Sequence, residues 1–321
     1  MDTHEQIDHR ERVLRAIKHQ KVDRVPFDFW AEQPSIERLR SFCREKYLDR
    51  ILENFGVDIR HIDAGALSEV RDISELENFY WPVPDDLDYS GLMSACSKYD
   101  EYALMYGFAD IWLRPWLVRG MENALLDLYV NPEWVHFLSR KFTDFYIEDY
   151  KNAYKHSDGR IDIFLVISDL GSQSSPLISP AMFDEFVAPY LKELLDCIHG
   201  LGAFTMFHSC GMIFSFIECL IDIGIDILDP IQPVAPELSP ENLKAKFSGR
   251  ICFHGGIDTQ KVLSRGSPED VKEEIQRYLE VFGNDGGYIC GPSHLFQPDV
   301  PPENIAAFYD KSLRDRSLTS L

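Results

Sequence analysis

The chain has 321 residues, 45% of them hydrophobic and 26% charged, proportions that suit a folded protein with a sizeable core and exclude a disordered one. Thirty-two Lys and Arg against 53 Asp and Glu leave a net charge of −21, which excludes a phosphate-tracking surface as the main function, because nucleic-acid binders need a basic face, and disfavours an anionic membrane surface. Seven cysteines (43, 96, 197, 210, 219, 252 and 290) without framework spacing, and a charged start over residues 1–12 with no secretory leader, predict a cytoplasmic protein with reduced thiols.

Helical periodicity opens the chain at 10–19, and short apolar runs predict strands at 24–29, 57–62 and 102–106. Asn131-Pro132 starts a long helix with Trp134, Leu138, Phe142 and Phe145 on one face, which delivers the chain to an apolar strand at 161–167. Strands at 203–207, 226–228, 250–253 and 287–290 follow, alternating with helical segments. Three of those segments begin with a serine N-cap and a proline at the first helical position: Ser179-Pro180, Ser239-Pro240 and Ser267-Pro268. The last adds Asp270 at capping-box spacing, then Val271, Ile275, Tyr278, Leu279 and Phe282 before Gly283 ends it. Residues 197–217 hold no Lys, Arg, Asp or Glu and have the length of a membrane span. His199, Gly200, Gly202, His208, Ser209 and Gly211 instead divide them into a helix end, a buried strand and a new helix start. Eight strand–helix units without a linker predict an α/β fold, a single (β/α)8 TIM barrel over residues 1–321 with an N-terminal helical extension. A doubly wound sheet is the rival, but Gly255-Gly256 lacks the third glycine of a dinucleotide fingerprint.

Barrel chemistry collects past the C-terminal ends of the strands. There the chain offers Trp30 and Glu32, Asp169 and Gln173, His208 and Cys210, Asp229, His254 and Asp258, and finally Cys290 and His294. The sharpest pattern is His208-Ser209-Cys210-Gly211, where a spacing of two at a turn lets an imidazole and a thiolate converge on one ion. Zinc suits mixed nitrogen and sulfur donors, and a catalytic zinc takes three protein ligands and keeps a fourth position open. The alternative is a buried histidine beside a core cysteine. The third ligand is left open between His294, out in the loop, and Cys290, at the strand end. Asp169 leaves an apolar strand and is a candidate proton acceptor or orienting group. Trp30, Glu32, Gln173, Asp229, His254 and Asp258 are the candidate substrate contacts.

From Ser168 to Asn304 the chain resembles the uroporphyrinogen decarboxylase superfamily, through Asp169-Leu-Gly-Ser-Gln173, Leu177-Ile-Ser-Pro180, His208-Ser-Cys-Gly211, Gly255-Gly-Ile-Asp258, Pro292-Ser-His294 and Gln297-Pro-Asp-Val-Pro-Pro-Glu-Asn304. The resemblance implies a single (β/α)8 barrel and one of two chemistries. True decarboxylases of this kind need no metal and hold a polycarboxylate with an arginine-rich segment after the first strand. Here residues 29–35 contain no arginine and include Glu32, although His294 corresponds to the decarboxylase's histidine. Corrinoid-dependent methyltransferases, the other branch, bind zinc through a His-x-Cys and a later cysteine. His208 and Cys210 match, while the later position is occupied by His294, with Cys290 four residues earlier. The resemblance therefore implies a Zn2+-dependent methyltransferase that moves a methyl group between a small substrate (a methoxy compound, a methanol- or methylamine-like donor, or a thiol) and a methylcobalamin-type corrinoid carried by a corrinoid-binding partner protein. Asp169 and His294 would be its catalytic residues, and a homodimer its assembly. The rival readings are a metal-independent decarboxylase of a tetrapyrrole or small acid, and a non-catalytic protein that binds a corrinoid or tetrapyrrole.

Overall fold

A computed structural model describes residues 7–64 and 83–314. Seven strands run through it: β1 (Ile59–Ile62), β2 (Ala103–Asp110), β3 (Ile163–Ile167), β4 (Phe204–His208), β5 (Ile227–Ile231), β6 (Cys252–Ile257) and β7 (Tyr288–Pro292). They adjoin in chain order in one sheet, with helices between them, the α/β alternation of a (β/α)8 barrel. Every residue of β3, β5, β6 and β7 is buried, as parallel strands covered on both faces must be.

One of the eight expected strands is not a strand. Pro26 has no N–H to give to a ladder, and residues 24–29 make isolated contacts instead. Phe27 bridges Cys290 and Ala31 bridges Phe296, both in the parallel sense. The N–H of Asp28 donates to the carbonyl of Cys290 at 3.0 Å, that of Cys290 to Pro26 at 2.8 Å, and that of Asp58 to Phe27 at 2.8 Å. The segment thus lies between β7 and the chain entering β1, where the eighth stave belongs.

The chain forms two compact units. The first comprises Met1–Arg60, Glu101–Ala103 and Ile227–Leu321. Its opening helix, His9–Ile17, is capped by Asp8, whose carboxylate accepts the N–H of Glu11 at 2.7 Å. Buried Asp58 ties that helix to the Phe27 segment: its carboxylate accepts from Arg12 (2.8 Å), His9 (2.7 Å), both terminal nitrogens of Arg24 (2.7 and 2.9 Å) and the Phe27 N–H (2.8 Å). The two guanidiniums hold this carboxyl well below the usual carboxylate range against its burial. The helices Pro240–Phe247 and Pro268–Phe282 start at Ser239 and Ser267 as expected, the latter in a full capping box with Asp270.

The second unit comprises His61–Asp100 and Leu104–Asp226. In it β2 pairs with β3 across one shift of register and β3 with β4 without one, which sets Asp110 opposite Ile167 and Ile167 opposite His208. The helix Pro132–His156 buries Leu138, Phe142 and Phe145 on its predicted face, and Ser179 caps Pro180–Phe186. Residues 197–217 divide as predicted, into the end of the helix Ala188–Gly200, then β4, then a short turn into Ile217–Ile223. Among the described residues no helix is long and apolar enough to cross a membrane.

Candidate metal centre

Parallel register sets the site. Because Ile167 lies opposite His208, β3 and β4 end level, and the loops that leave them, Ser168–Gln173 and Ser209–Met212, run against each other. They touch backbone to backbone: a Cβ on Gly211 would sit 2.4 Å from the Ser172 carbonyl oxygen, and one on Gly171 2.8 Å from that of Cys210. Gly211 also has φ of 81°, which a side chain would strain. Three bonds pin the turn. The Leu170 N–H donates to the Ser209 hydroxyl at 2.9 Å, the Met212 N–H to the Ser172 carbonyl at 2.8 Å, and the Cys210 N–H to the Asp169 carboxylate at 2.8 Å. So held, Cys210 Sγ lies 3.3 Å from His208 Nε2. His208 is buried, and Asp169 and Cys210 are partly exposed.

His294, in the loop that follows β7 of the first unit, is also partly exposed. Zinc bonds of about 2.0–2.3 Å in a tetrahedron space the ligand atoms roughly 3.3–3.8 Å apart, so the imidazole of His208 and the thiol of Cys210, 3.3 Å apart, suit zinc in both donor type and separation. Cys290 lies within β7 rather than past its end. It is fully buried within β7, where burial pushes its thiol up to about 12.

The other predicted residues are distributed as follows. Asp229 and His254 face each other inside the first unit, both buried, with His254 Nδ1 2.5 Å from Asp229 and Nε2 3.2 Å from Asp28. Burial works against a charge on this imidazole, yet the two carboxylates outweigh it and raise His254 to about 9. Trp30 lies against the same ring, 6.2 Å between centroids, and is itself half-buried. Glu32 stands at the N-cap of the helix Gln33–Cys43, and its N–H donates to Phe296. Gln173 is exposed in the loop after β3. Asp258 caps the turn after β6, accepting the N–H groups of Gln260 and Lys261 at 2.8 and 3.1 Å.

Sequence reasoning missed two acids. Asp28 sits in the segment where a strand was expected, and nothing local announces its partner His254. Asp110 ends β2, level with His208, and its carboxylate accepts the Leu113 N–H at 2.7 Å while burial raises it to about 6. The strand predicted at 102–106 stops short of Gly107. That residue is instead part of a bulge, since Tyr106 pairs with Phe164 but Ala109 with Val166, and β2 resumes to place Asp110 at its tip. A lone acid between Ala109 and Ile111 was the available signal.

With the geometry in hand, a family model described as uroporphyrinogen decarboxylase (URO-D) matches residues 116–312. The uroporphyrinogen decarboxylase of Pseudoalteromonas translucida (strain TAC 125) is 25% identical over 259 residues, which cover 76% of this chain and 67% of that protein. The uroporphyrinogen decarboxylase of Danio rerio is 24% identical, covering 76% and 66%. The chain spans about half to two thirds of the length of curated relatives that it matches. Among solved structures, a methyltransferase from Methanosarcina mazei shares the fold, with a TM-score of 0.72 at 17% identity over 97% of this chain and 99% of the other.

Proposed function

We propose, for a chain that belongs to the uroporphyrinogen decarboxylase (URO-D) family, the function of a zinc-dependent methyltransferase, one barrel domain that moves a methyl group between a small substrate and a corrinoid carried by a partner protein. The observation that carries this reading is the pair His208 and Cys210, whose Nε2 and Sγ lie 3.3 Å apart at the turn after β4, with His294 the third ligand that the resemblance implies. The lack of arginine over residues 29–35 supports it against a polycarboxylate substrate, since Glu32 there would repel one.

Zinc held by His208, Cys210 and His294 would supply a Lewis acid, suited to lowering the pKa of a thiol or polarising the oxygen of a methoxy group or methanol. The chain's own residues prepare that site. Asp169, through the Cys210 N–H, fixes the turn that aims the thiol. Asp110, on the same edge, has its carboxyl raised by burial to about 6, within reach of both protonation states near neutral pH, and we assign it the exchange of a proton with the substrate.

The test is metal content and zinc titration. Wild-type protein is expected to take up one zinc per chain, His208→Ala and Cys210→Ser to lose it, and methyl transfer to or from cobalamin, followed by its visible spectrum, to depend on it. Zinc uptake indifferent to His208 and Cys210 defeats the reading. The second reading, a metal-independent decarboxylase using Asp169 and His294, is favoured by the names of the sequence relatives. Turnover of a carboxylated tetrapyrrole by chelator-treated protein would establish it instead.

A further inference from the structure

A pocket of about 290 Å³ opens in the first unit, between the loop that follows β5 and the helix Pro268–Phe282. The loop contributes Pro233, Val234, Pro236 and Pro240 to its lining, and the helix contributes Arg277 and Tyr278. Proline has no N–H, and the loop's own turns take up three more: Val234 donates to Gln232 at 2.8 Å, Leu238 to Ala235 at 3.0 Å and Ser239 to Pro236 at 3.1 Å. The loop wall is therefore apolar and poor in donors. On the helix side, Gly256 lets Tyr278 lie against β6, since a Cβ at that glycine would sit 2.3 Å from the tyrosine ring. Tyr278 is fully buried, and among the described residues its hydroxyl has no hydrogen-bond partner.

Buried polar groups are nearly always hydrogen-bonded, so a buried hydroxyl left without a partner in the lining of a pocket marks the place of a ligand atom. Burial and the carboxylates of Glu274 and Glu241 hold this phenol far above its ordinary value, so it keeps its proton and donates. Arg277 is the other donor. Glu241 grips its guanidinium through two bonds, at 2.9 and 2.8 Å, and Glu274 lies 3.8 Å from Nη1. One cation between two carboxylates gives an anion no net attraction, while an incoming cation would meet the guanidinium. The occupant that fits is neutral, brings an acceptor to the two donors, and lays an apolar body against the loop wall.

We infer that this pocket binds a small, neutral aromatic carbonyl compound, an aryl amide or ketone, with its ring against the proline rings and its oxygen on the Tyr278 hydroxyl. Flat aromatic and proline rings pack on one another, as they do where proline-rich segments are recognised. The volume stands at the small end of ligand pockets, which begin at about 300 Å³, and suits one ring with one substituent. The site stands independently of the proposed chemistry, since no candidate metal ligand lines it.

Saturation-transfer NMR titration of the full chain with benzamide, acetophenone, benzoate and benzylamine tests this, because the four share a ring and differ in charge. The two neutral carbonyl compounds are expected to bind with a Kd of about 1 mM, and Tyr278→Phe to weaken them about 3- to 10-fold. That variant also supplies a readout that needs no ligand. It removes a hydroxyl that has no partner, so its midpoint of thermal unfolding is expected to equal or exceed that of the wild type, whereas loss of a structural hydrogen bond would lower it. Val234→Trp fills the pocket from the loop side and is expected to abolish binding, and it decides alone if Tyr278→Phe fails to fold. Absence of binding by both carbonyl compounds at about 10 mM overturns the inference. So does binding that the variants leave unchanged, tighter binding of benzoate or benzylamine, or a lowered unfolding midpoint in Tyr278→Phe.

Discussion

His254→Gln probes how the interior holds a charge. Glutamine keeps a donor and an acceptor at that place but removes the imidazolium that lies between Asp28 and Asp229 at 3.2 and 2.5 Å. The two carboxylates raise His254 from 6.5 to about 9. At about 1.4 kcal/mol for each pKa unit, the protonated form stabilises the fold by about 3 kcal/mol relative to a neutral ring. Since the folded value lies above the unfolded one, this contribution is complete below about pH 6.5 and is lost as pH rises through about 9. Urea unfolding of wild type and variant at intervals from pH 6 to 10 measures it, and the gap between the two proteins is expected to narrow by about 3 kcal/mol over that range. Nitrogen chemical shifts of the imidazole should show both ring nitrogens protonated at pH 7.5. A gap that is the same at pH 6 and pH 10, or a neutral ring at pH 7.5, refutes the reasoning, because it would mean that the carboxylates do not outweigh burial.

Asp58→Ala strips the shared partner from Arg12 and Arg24 and leaves two cations facing each other at the base of the first unit; a loss of about 3–5 kcal/mol in urea unfolding is expected, and the wild type should itself lose this contribution as pH falls below the ordinary aspartate value, since the folded carboxyl titrates lower. Asp169→Ala removes the acceptor of the Cys210 N–H, so zinc affinity should fall about 10- to 100-fold while thermal unfolding of the metal-free protein moves little, and unchanged zinc affinity would show that the turn holds the thiol without it.

Local pattern and long-range placement divide what was legible. The helix starts at Ser179, Ser239 and Ser267 were readable because a cap is a bond between neighbours in the chain. The strand interiors were readable because burial on both faces leaves unbroken apolar runs. Strand bounds failed at glycine and proline: β2 runs past Gly107 through a bulge, β6 keeps Gly255 and Gly256, and Pro26, inside the strand expected at 24–29, breaks a ladder without moving the chain out of its place. The site divides in the same way. His208 and Cys210 are legible because one turn brings them together, whereas the choice between His294 and Cys290 depends on where β7 ends: Cys290 is consumed inside it and His294 lies beyond it. Asp28 and His254 meet across 226 positions, a distance that no local pattern encodes. The helix Met121–Val130 marks a further limit, since its sequence is apolar on two faces and carries its charge, Asp127, on the inner one. Hydrophobic period alone assigns such a helix to a core. Only the fold shows that one of those faces is left turned outward.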